Sequence, residues 1–370
     1  MDLNLLVVED DGQLVSIWKD KIEMYNVEDD RIFNILEVYV DNLDGALKEI
    51  NSVRFDVVVI DVRLKSGNPQ ANRDGNEVLK AVVGSTISLV AMCTAETGIV
   101  EIEDGYKGLV RVFEKGSGST DVHDEILNWI DSEKKIVESM KVIHDDTKQE
   151  MAKLFYKSIW PRWQYWVRDD GGKDTINAAL KRHLATHLHA TFINEVESVH
   201  AEEHFFIPPL SERIDTGDII REGDSYYIVV NPRCDLAQGK NSTFQLVFME
   251  LANTEWDRLN EALDQAKAIT PVATKKINTA EQQIRKFTNH KDRTSKYHYI
   301  PGIRMDSTSF VGPFFADFSR LESREAEDGL ADDLLSKRVA SLSNEFVPSI
   351  VERLGAYFSR IGTPDFSSPQ

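Results

Sequence analysis

Glu9, Asp10, Asp61, Thr94 and Lys115 are residue types that phosphoryl chemistry uses, and they occur in a telling order. Each stands at, or just beyond, the end of a short apolar run. Leu5-Leu6-Val7-Val8 leads into Glu9-Asp10-Asp11, residues 56–60 into Asp61, residues 87–93 into Thr94, and residues 109–113 towards Lys115. Two or three neighbouring carboxylates suit Mg²⁺, a hard cation that takes oxygen ligands and keeps some of its waters. A carboxylate such as Asp61 can act as a nucleophile and form an acyl phosphate. The metal and an ammonium such as Lys115 neutralise charge on the transferring group, while a hydroxyl such as Thr94 donates to one of its oxygens. One acidic residue after a strand is ordinary, because loops are polar. The ordered set is what carries the reading.

Apolar runs of this length, separated by polar stretches long enough for helices, predict buried strands of a parallel sheet. Ligands of such sheets sit outside the carboxyl ends of the strands, so the runs would deliver all these groups to one rim. Over residues 1–131 the pattern resembles the receiver domain of two-component response regulators. The resemblance implies an α/β, flavodoxin-like fold with a doubly wound, five-stranded parallel sheet. It implies Glu9 and Asp10 as a metal pair, Asp61 as phospho-acceptor and metal ligand, and Arg63 as the donor of a backbone carbonyl to Mg²⁺. Thr94 and Lys115 take the switch-hydroxyl and lysine roles of that family. Three features depart from its pattern. The segment Lys65 to Arg73 is longer and more polar than usual before Asp74-Gly75, Gly116 follows Lys115 where Pro is common, and Val112 with Phe113 beside it stands where an aromatic switch residue is usual.

At 370 residues the chain has room for two or three domains, and 41% apolar residues suffice for packed cores. No apolar run reaches the length of a membrane span, and the N-terminus lacks a basic-then-apolar leader pattern, so a cytoplasmic protein with no membrane partner is expected. Cys93 and Cys234 fall in different predicted domains, which argues against a disulfide framework. Residues 1–133 hold 27 acidic against 12 basic side chains, while the remainder holds 35 against 31. An acidic pocket accounts for the first imbalance. The near balance of the second argues against a general coating of DNA, which needs a basic surface.

Four segments are expected: a receiver over 1–131, a helical linker over 132–170, an α+β output domain over 171–362 with a small, mainly antiparallel sheet, and a flexible tail over 363–370. Asp121 is a plausible helix cap, and no Pro or Gly interrupts the chain from there to Trp160. The expectation is a helix running on from the receiver, bent near His144-Asp145-Asp146, or two helices with a hinge, able to carry a bias or to form a homodimer seam. Trp160, Trp163, Tyr165 and Trp166 suggest a core or docking cluster. A helix from Asp174 to about Val199 is expected, then strands at 218–220 and 226–230 around a Glu222-Gly223-Asp224 turn. Further strands are expected at 244–249, 297–300 and 314–318, with helices at 256–267, 280–287 and 335–361.

Chemistry in this second half is harder to read. His183 and His187 share a helical face, the spacing of a metal pair, but Leu184 occupies the position where a metalloprotease needs Glu. Cys234 and Asp235 follow an apolar strand and offer a nucleophile and a base, without an assignable His partner. Residues 275–304 are basic, including Lys286 and Lys291, and interleave Phe287, Tyr297 and Tyr299, a mixture used to bind single-stranded nucleic acid. The leading expectation is a response regulator that accepts phosphate on Asp61 from a histidine kinase and acts through protein contact or oligomerisation. The alternatives are a receiver-gated, nuclease-like enzyme built on Cys234, Asp235 and the basic stretch, or a regulator that binds nucleic acid through residues 275–304.

Overall fold

In a computed structural model of the chain, the described residues are 1–64, 74–102, 106, 108–116, 121–167, 173–193, 199–239, 242–269, 274–290, 296–305, 308–327 and 329–359. The expected tail over 363–370 and the segment Lys65 to Arg73 lie outside them. The chain divides into two compact units, Met1–Glu195 and Val196–Gln370.

In the first unit the elements alternate: β1 (Asp2–Val8), α1 (Gly12–Val27), β2 (Asn34–Val40), α2 (Leu43–Ser52), β3 (Val57–Asp61), α3 (Asp74–Ser85), β4 (Leu89–Thr94), β5 (Val110–Glu114) and α4 (Val122–Ser132). All the strands run parallel, in the order β2-β1-β3-β4-β5. Successive strand residues point to opposite faces, and here each face meets its own core. Leu5, Val7, Val57, Val59 and Ala91 pack against Trp18 and Ile22 of α1 and Ile126 and Ile130 of α4. Leu6, Val8, Val58, Ile60 and Met92 pack against Ala46 of α2 and Val78 and Val82 of α3. Burial on both faces is why β1, β3 and β4 read as unbroken apolar runs. The edge strand β2 supplies the fifth member.

The chain after the receiver-like segment bends, but not where expected. It breaks at Glu133 (φ −92°, ψ 14°), which ends α4 and starts α5 (Lys134–Leu154), and α5 passes through His144-Asp145-Asp146 uninterrupted. The cause is docking: Val137 joins the core shared by α1 and α4, and Lys141 Nζ lies 3.1 Å from Oδ2 of the buried Asp56. A π-helical turn (Phe155–Ile159) leads to the short α6 (Trp163–Trp166) and then α7 (Lys173–Ile193). Trp160 and Tyr165 are more than half exposed, so this aromatic cluster is surface, not core.

The second unit holds β6 (Phe205–Phe206), β7 (Asp218–Glu222), β8 (Ser225–Val229), α8 (Arg233–Gln238), β9 (Thr243–Glu250), α9 (Thr254–Lys267), α10 (Thr274–Thr288) and β10 (Tyr297–Ile300). It continues with β11 (Ile303–Arg304), β12 (Phe310–Val311), β13 (Phe314–Glu325), α11 (Leu330–Lys337), β14 (Arg338–Leu342) and α12 (Val347–Phe358). Seven strands form one antiparallel sheet, in the order β10-β13-β9-β8-β7-β14-β6. One face is covered by Ile350 of α12, the other by Leu236 of α8 and Leu334 of α11. The expected single helix over 335–361 is instead α11, β14 and α12. Ala340 and Leu342 are buried in the sheet, and Pro348, which has no N–H to donate, sits in the first turn of α12, where none is needed.

Gly75 fixes how α3 meets β3. A Cβ at this position would lie 2.4 Å from the Asp61 carbonyl oxygen and 2.6 Å from Val62 Cα, whereas one at Gly84, in the same helix, would meet nothing within 4 Å. Gly75→Ala is therefore expected to destabilise by about 1–3 kcal/mol through overpacking, and Gly84→Ala to stabilise by up to about 1 kcal/mol. Urea denaturation of the full chain checks both. Equal effects of the two substitutions would show that the close approach does not matter.

Candidate functional site

The carboxyl ends of β1, β3, β4 and β5 meet at one rim, and the local structure there fixes each side chain. Glu9 extends the β1–β2 ladder by donating its N–H to the Val40 carbonyl at 3.0 Å, and its side chain is 4% exposed. Asp11 caps α1 by accepting from Gln13 N at 2.8 Å, and its own N–H donates to Glu9 Oε1 at 3.1 Å. Asp61 is the last residue of β3 and pairs with Cys93 of β4. Thr94 ends β4, and its backbone carbonyl accepts from the Lys115 N–H at 2.8 Å.

Lys115 completes the group. Its Nζ lies 3.0 Å from Glu9 Oε2 and 3.2 Å from Asp61 Oδ2. Glu9, Asp10 and Asp61 each present an oxygen, all within 4.8 Å of one another. Oxygens from one buried and two half-buried carboxylates are the donor set that a hard divalent cation takes. They fit Mg²⁺, which with Lys115 would offset their mutual repulsion.

Burial pushes the pKa of Glu9 up, opposed by the Lys115 ammonium and aided by the Asp61 charge. Asp61 is raised for the same first reason, again opposed by Lys115. For Lys115, burial acts downward, but Asp61 and Glu9 together outweigh it and hold the ammonium above its usual value. Cys93 lies beneath them as a thiol, its pKa pushed up to about 12 chiefly by burial.

Thr94 and Arg63 are turned to other partners. The Thr94 hydroxyl accepts from Glu96 N at 3.1 Å and donates to the Glu96 carbonyl at 3.3 Å. The Arg63 guanidinium pairs with Glu96 at 2.6 Å, while its N–H makes a long contact of 3.5 Å with Asp61 Oδ1. Phe113 packs on Trp129 of α4 (ring centroids 5.5 Å apart), and Val112 faces the opposite core.

The order 2-1-3-4-5 with all strands parallel is that of the flavodoxin-like doubly wound sheet, whose ligands sit at the β1/β3 switch point. Residues 1–132 have that flavodoxin-like fold. No family model and no curated protein matches the chain. Solved receiver domains match its N-terminal 35–39%. That of a Francisella response regulator is 20% identical and covers 36% of this chain and 98% of its own, with a TM-score of 0.26. A CheY-like receiver from Methylobacillus flagellatus is 17% identical, covering 35% and 99%, with a TM-score of 0.27. The receiver domain of a sensor histidine kinase from Pseudomonas aeruginosa PAO1, described with a magnesium ion coordinated in its active-site cleft, is 12% identical, covering 38% and 98%, with a TM-score of 0.24. The fold assignment rests on strand order and direction.

The remaining residues singled out in the sequence do not converge in this way. Cys234 is exposed on α8, with Sγ 3.6 Å from Asp235 Oδ1, and its neighbour Arg233 pairs with Asp215 at 3.1 Å. Lys286 is exposed on α10, whose Phe287 belongs to a different core from the Leu236 of α8. Lys291 lies outside the described residues. Phe287, Tyr297 and Tyr299 pack around Phe315, so the aromatics of the basic stretch serve a core. His183 and His187 meet edge-to-face on one side of α7 with centroids 4.3 Å apart, next to Trp166. Sequence reading passed over three other histidines, His204, His290 and His298, which share a cavity in the second unit.

Lys115→Met tests the charge balance of the receiver rim. The carboxyls of Glu9 and Asp61 titrate above their ordinary values of 4.5 and 3.8. The native state therefore binds more protons than the unfolded chain in that window, and stability falls as pH rises through it. Removing the ammonium lifts both values further. Lys115→Met is expected to lose about 1–3 kcal/mol near neutral pH, with the loss shrinking as pH falls towards 5. Urea titrations across pH measure it, and a deficit that grew on acidification would contradict the assignment.

Proposed function

We propose that this protein is a two-component response regulator in which Asp61 accepts a phosphoryl group from a partner histidine kinase. The observation that carries the reading is the Lys115 ammonium between Glu9 and Asp61, whose oxygens lie with that of Asp10 within 4.8 Å of one another, at the carboxyl rim of a parallel sheet. The resident cation would be Mg²⁺, held by Glu9, Asp10, Asp61 and the Arg63 carbonyl. When bound, it supplies positive charge to the phosphoryl oxygens and to the crowded carboxylates. An Asp61 carboxylate oxygen forms the new P–O bond as the P–N bond of the donor phosphohistidine breaks. The imidazole nitrogen keeps that electron pair, and the ring leaves as neutral imidazole, its one proton either already on the other ring nitrogen or taken up as the bond breaks. Lys115 holds the attacking carboxylate in place and ionised, because its charge opposes the effect of burial on Asp61. The Thr94 hydroxyl, at the same rim, becomes a donor to the new phosphate if it gives up Glu96.

Output is assigned to protein contact or oligomerisation. No helix among the described residues is long and apolar enough to cross a membrane. The apolar side chains left outside on and after α5, Val142, Ile143, Met151 and Tyr156 among them, are available to a partner surface.

Incubation of the full chain with acetyl phosphate and Mg²⁺ is expected to yield a phosphate adduct that survives acid and is lost in base. Asp61→Asn should abolish it, and chelation of the metal should reduce it at least tenfold. Equal labelling of wild type and Asp61→Asn, read by intact mass, would end this assignment.

A further inference from the structure

The second unit contains a cavity of about 830 Å³ whose wall holds His204, Arg285, His290 and His298, along with Tyr299 and Phe346. Its volume is in the range of small-molecule sites. Among the described residues no carboxylate lines it, in a chain whose net charge is −19. Acidic side chains are the commonest charged surface of this protein, so their exclusion from a large concave wall is a selective feature.

The histidines combine ring packing with buried polar atoms. His298, on β10, is only 5% exposed, and its Nδ1 is buried without a hydrogen-bond partner among the described residues. The Nδ1 of His204 is also buried, but the backbone of His200 and Ala201 interacts with its ring, which stacks on Phe346 at 3.7 Å. Buried polar atoms are almost always paired, so these two nitrogens, both closed to solvent, are exceptions among the residues of the cavity wall. His290 sits at the end of α10 in the left-handed region (φ 57°), which carries its ring to 4.3 Å from that of His298. A non-glycine residue held in that conformation beside a cavity is the kind of strain found at ligand sites.

The surrounding charge decides between ligand classes. Arg285 lines the cavity, and the Arg353 guanidinium, whose Nη2 donates to the Tyr297 carbonyl at 2.6 Å, acts on both His290 and His298. Cationic neighbours oppose a metal ion. Nor do three metal-ligating side chains converge here, since the one such group among the described residues is Glu9, Asp10 and Asp61. Burial, then Arg353, lowers the pKa of His290 to about 4; burial followed by His290 and Arg353 drives His298 well down. The imidazoles are neutral when the cavity is empty, and an anion would favour their protonated, doubly donating form. Glu250 and Glu255 face His290 from an adjoining cavity, and Glu203 acts on His204.

We infer that this cavity binds a small phosphate-bearing anion through His204, His290, His298 and Arg285, a ligand site separate from the acidic rim of the receiver. The second unit is then a ligand-binding module as well as an output element. This inference does not depend on phosphorylation of Asp61.

The test is titration of the full chain, with histidine ring protons followed by NMR, using inorganic phosphate, adenosine 5′-monophosphate and adenosine as separate probes. Phosphate, the nucleotide or both are expected to shift the His290 and His298 signals saturably, while adenosine leaves them in place. Binding of the nucleotide alone would identify an organic phosphate as the ligand; binding of both equally would identify the free anion. Arg285 is exposed, so Arg285→Gln should fold normally and weaken binding about tenfold, the loss of one charge-assisted contact. Lys115→Met, which alters the receiver rim, should leave it unchanged. No saturable shift with either phosphate-bearing probe at 10 mM, equal binding by Arg285→Gln, or displacement of the signals by Zn²⁺ but not by phosphate would each overturn the proposal.

Discussion

One cation holds the receiver rim together. Glu9, Asp10 and Asp61 bring three oxygens within 4.8 Å of each other at a site where burial already disfavours their charged forms. The Lys115 ammonium offsets part of that repulsion from a strand that is not adjacent to theirs. Lys115 follows β5, and β4 lies between β5 and β3. Neighbouring strands are about 4.8 Å apart, so Lys115 and its partners must together bridge two spacings to reach β3 and three to reach β1. A long unbranched stem does this, passing over the rim where Cys93 and Thr94 end β4. The parallel order of the sheet is therefore a condition of the electrostatics. With β5 reversed, the ammonium would lie at the opposite edge, away from both of its carboxylate partners.

The same physics explains which parts of the fold were legible in the sequence. β1, β3, β4 and β5 were visible as apolar runs because α-helices cover the sheet between them. The fifth strand, β2, was not picked out from the runs. It is an edge strand in which Ile35 is buried while Leu36 is 47% exposed and Glu37 faces solvent, so its pattern resembles that of a surface segment. The break at Glu133 carried no Pro or Gly to announce it. The polar triplet at 144–146 looked like a hinge but is only the solvent side of α5. β14 was read as helix because Val339, Leu342 and Phe346 recur at helical spacing. Tertiary pairing with β7, through Ala340 and Ser341, overrode that period. Asp218, buried beneath, is held by the Ser341 hydroxyl and by Arg338 at 3.1 Å.

Site residues followed the same division. Those of the receiver rim could be located because each is tied to the end of a strand that the sequence marks. The histidines of the second unit could not. His204 comes from a short turn before β6, His290 from the end of α10 and His298 from the interior of β10, and no spacing links the three. His183 and His187 were conspicuous for the opposite reason, four residues apart on one helix, yet α7 leaves them partly open to solvent. Local periodicity finds groups that share an element. It is blind to groups that only a sheet and a helix end bring together.

The rim also constrains how a phosphate on Asp61 could be felt elsewhere. Thr94 is engaged twice with the backbone of Glu96, whose side chain in turn holds Arg63 at 2.6 Å. A dianionic group beside Asp61 would compete for both the hydroxyl and the guanidinium, so the segment from Thr94 to Glu96 is the part of the rim with something to exchange. On β5 the aromatic ring belongs to Phe113, which points to the α1/α4 core and contacts Trp129, while Val112 faces α3. Packing that starts at β5 thus reaches α4 through Phe113 and Trp129. From α4 it meets Glu133 and then Val137, buried in the same core. Two states of the rim can differ in energy at a distant surface only if a packed element has two arrangements. At Glu133 one helix ends and the next begins within a single residue, and Val137 with the Lys141–Asp56 pair ties α5 to the same packed body as α4.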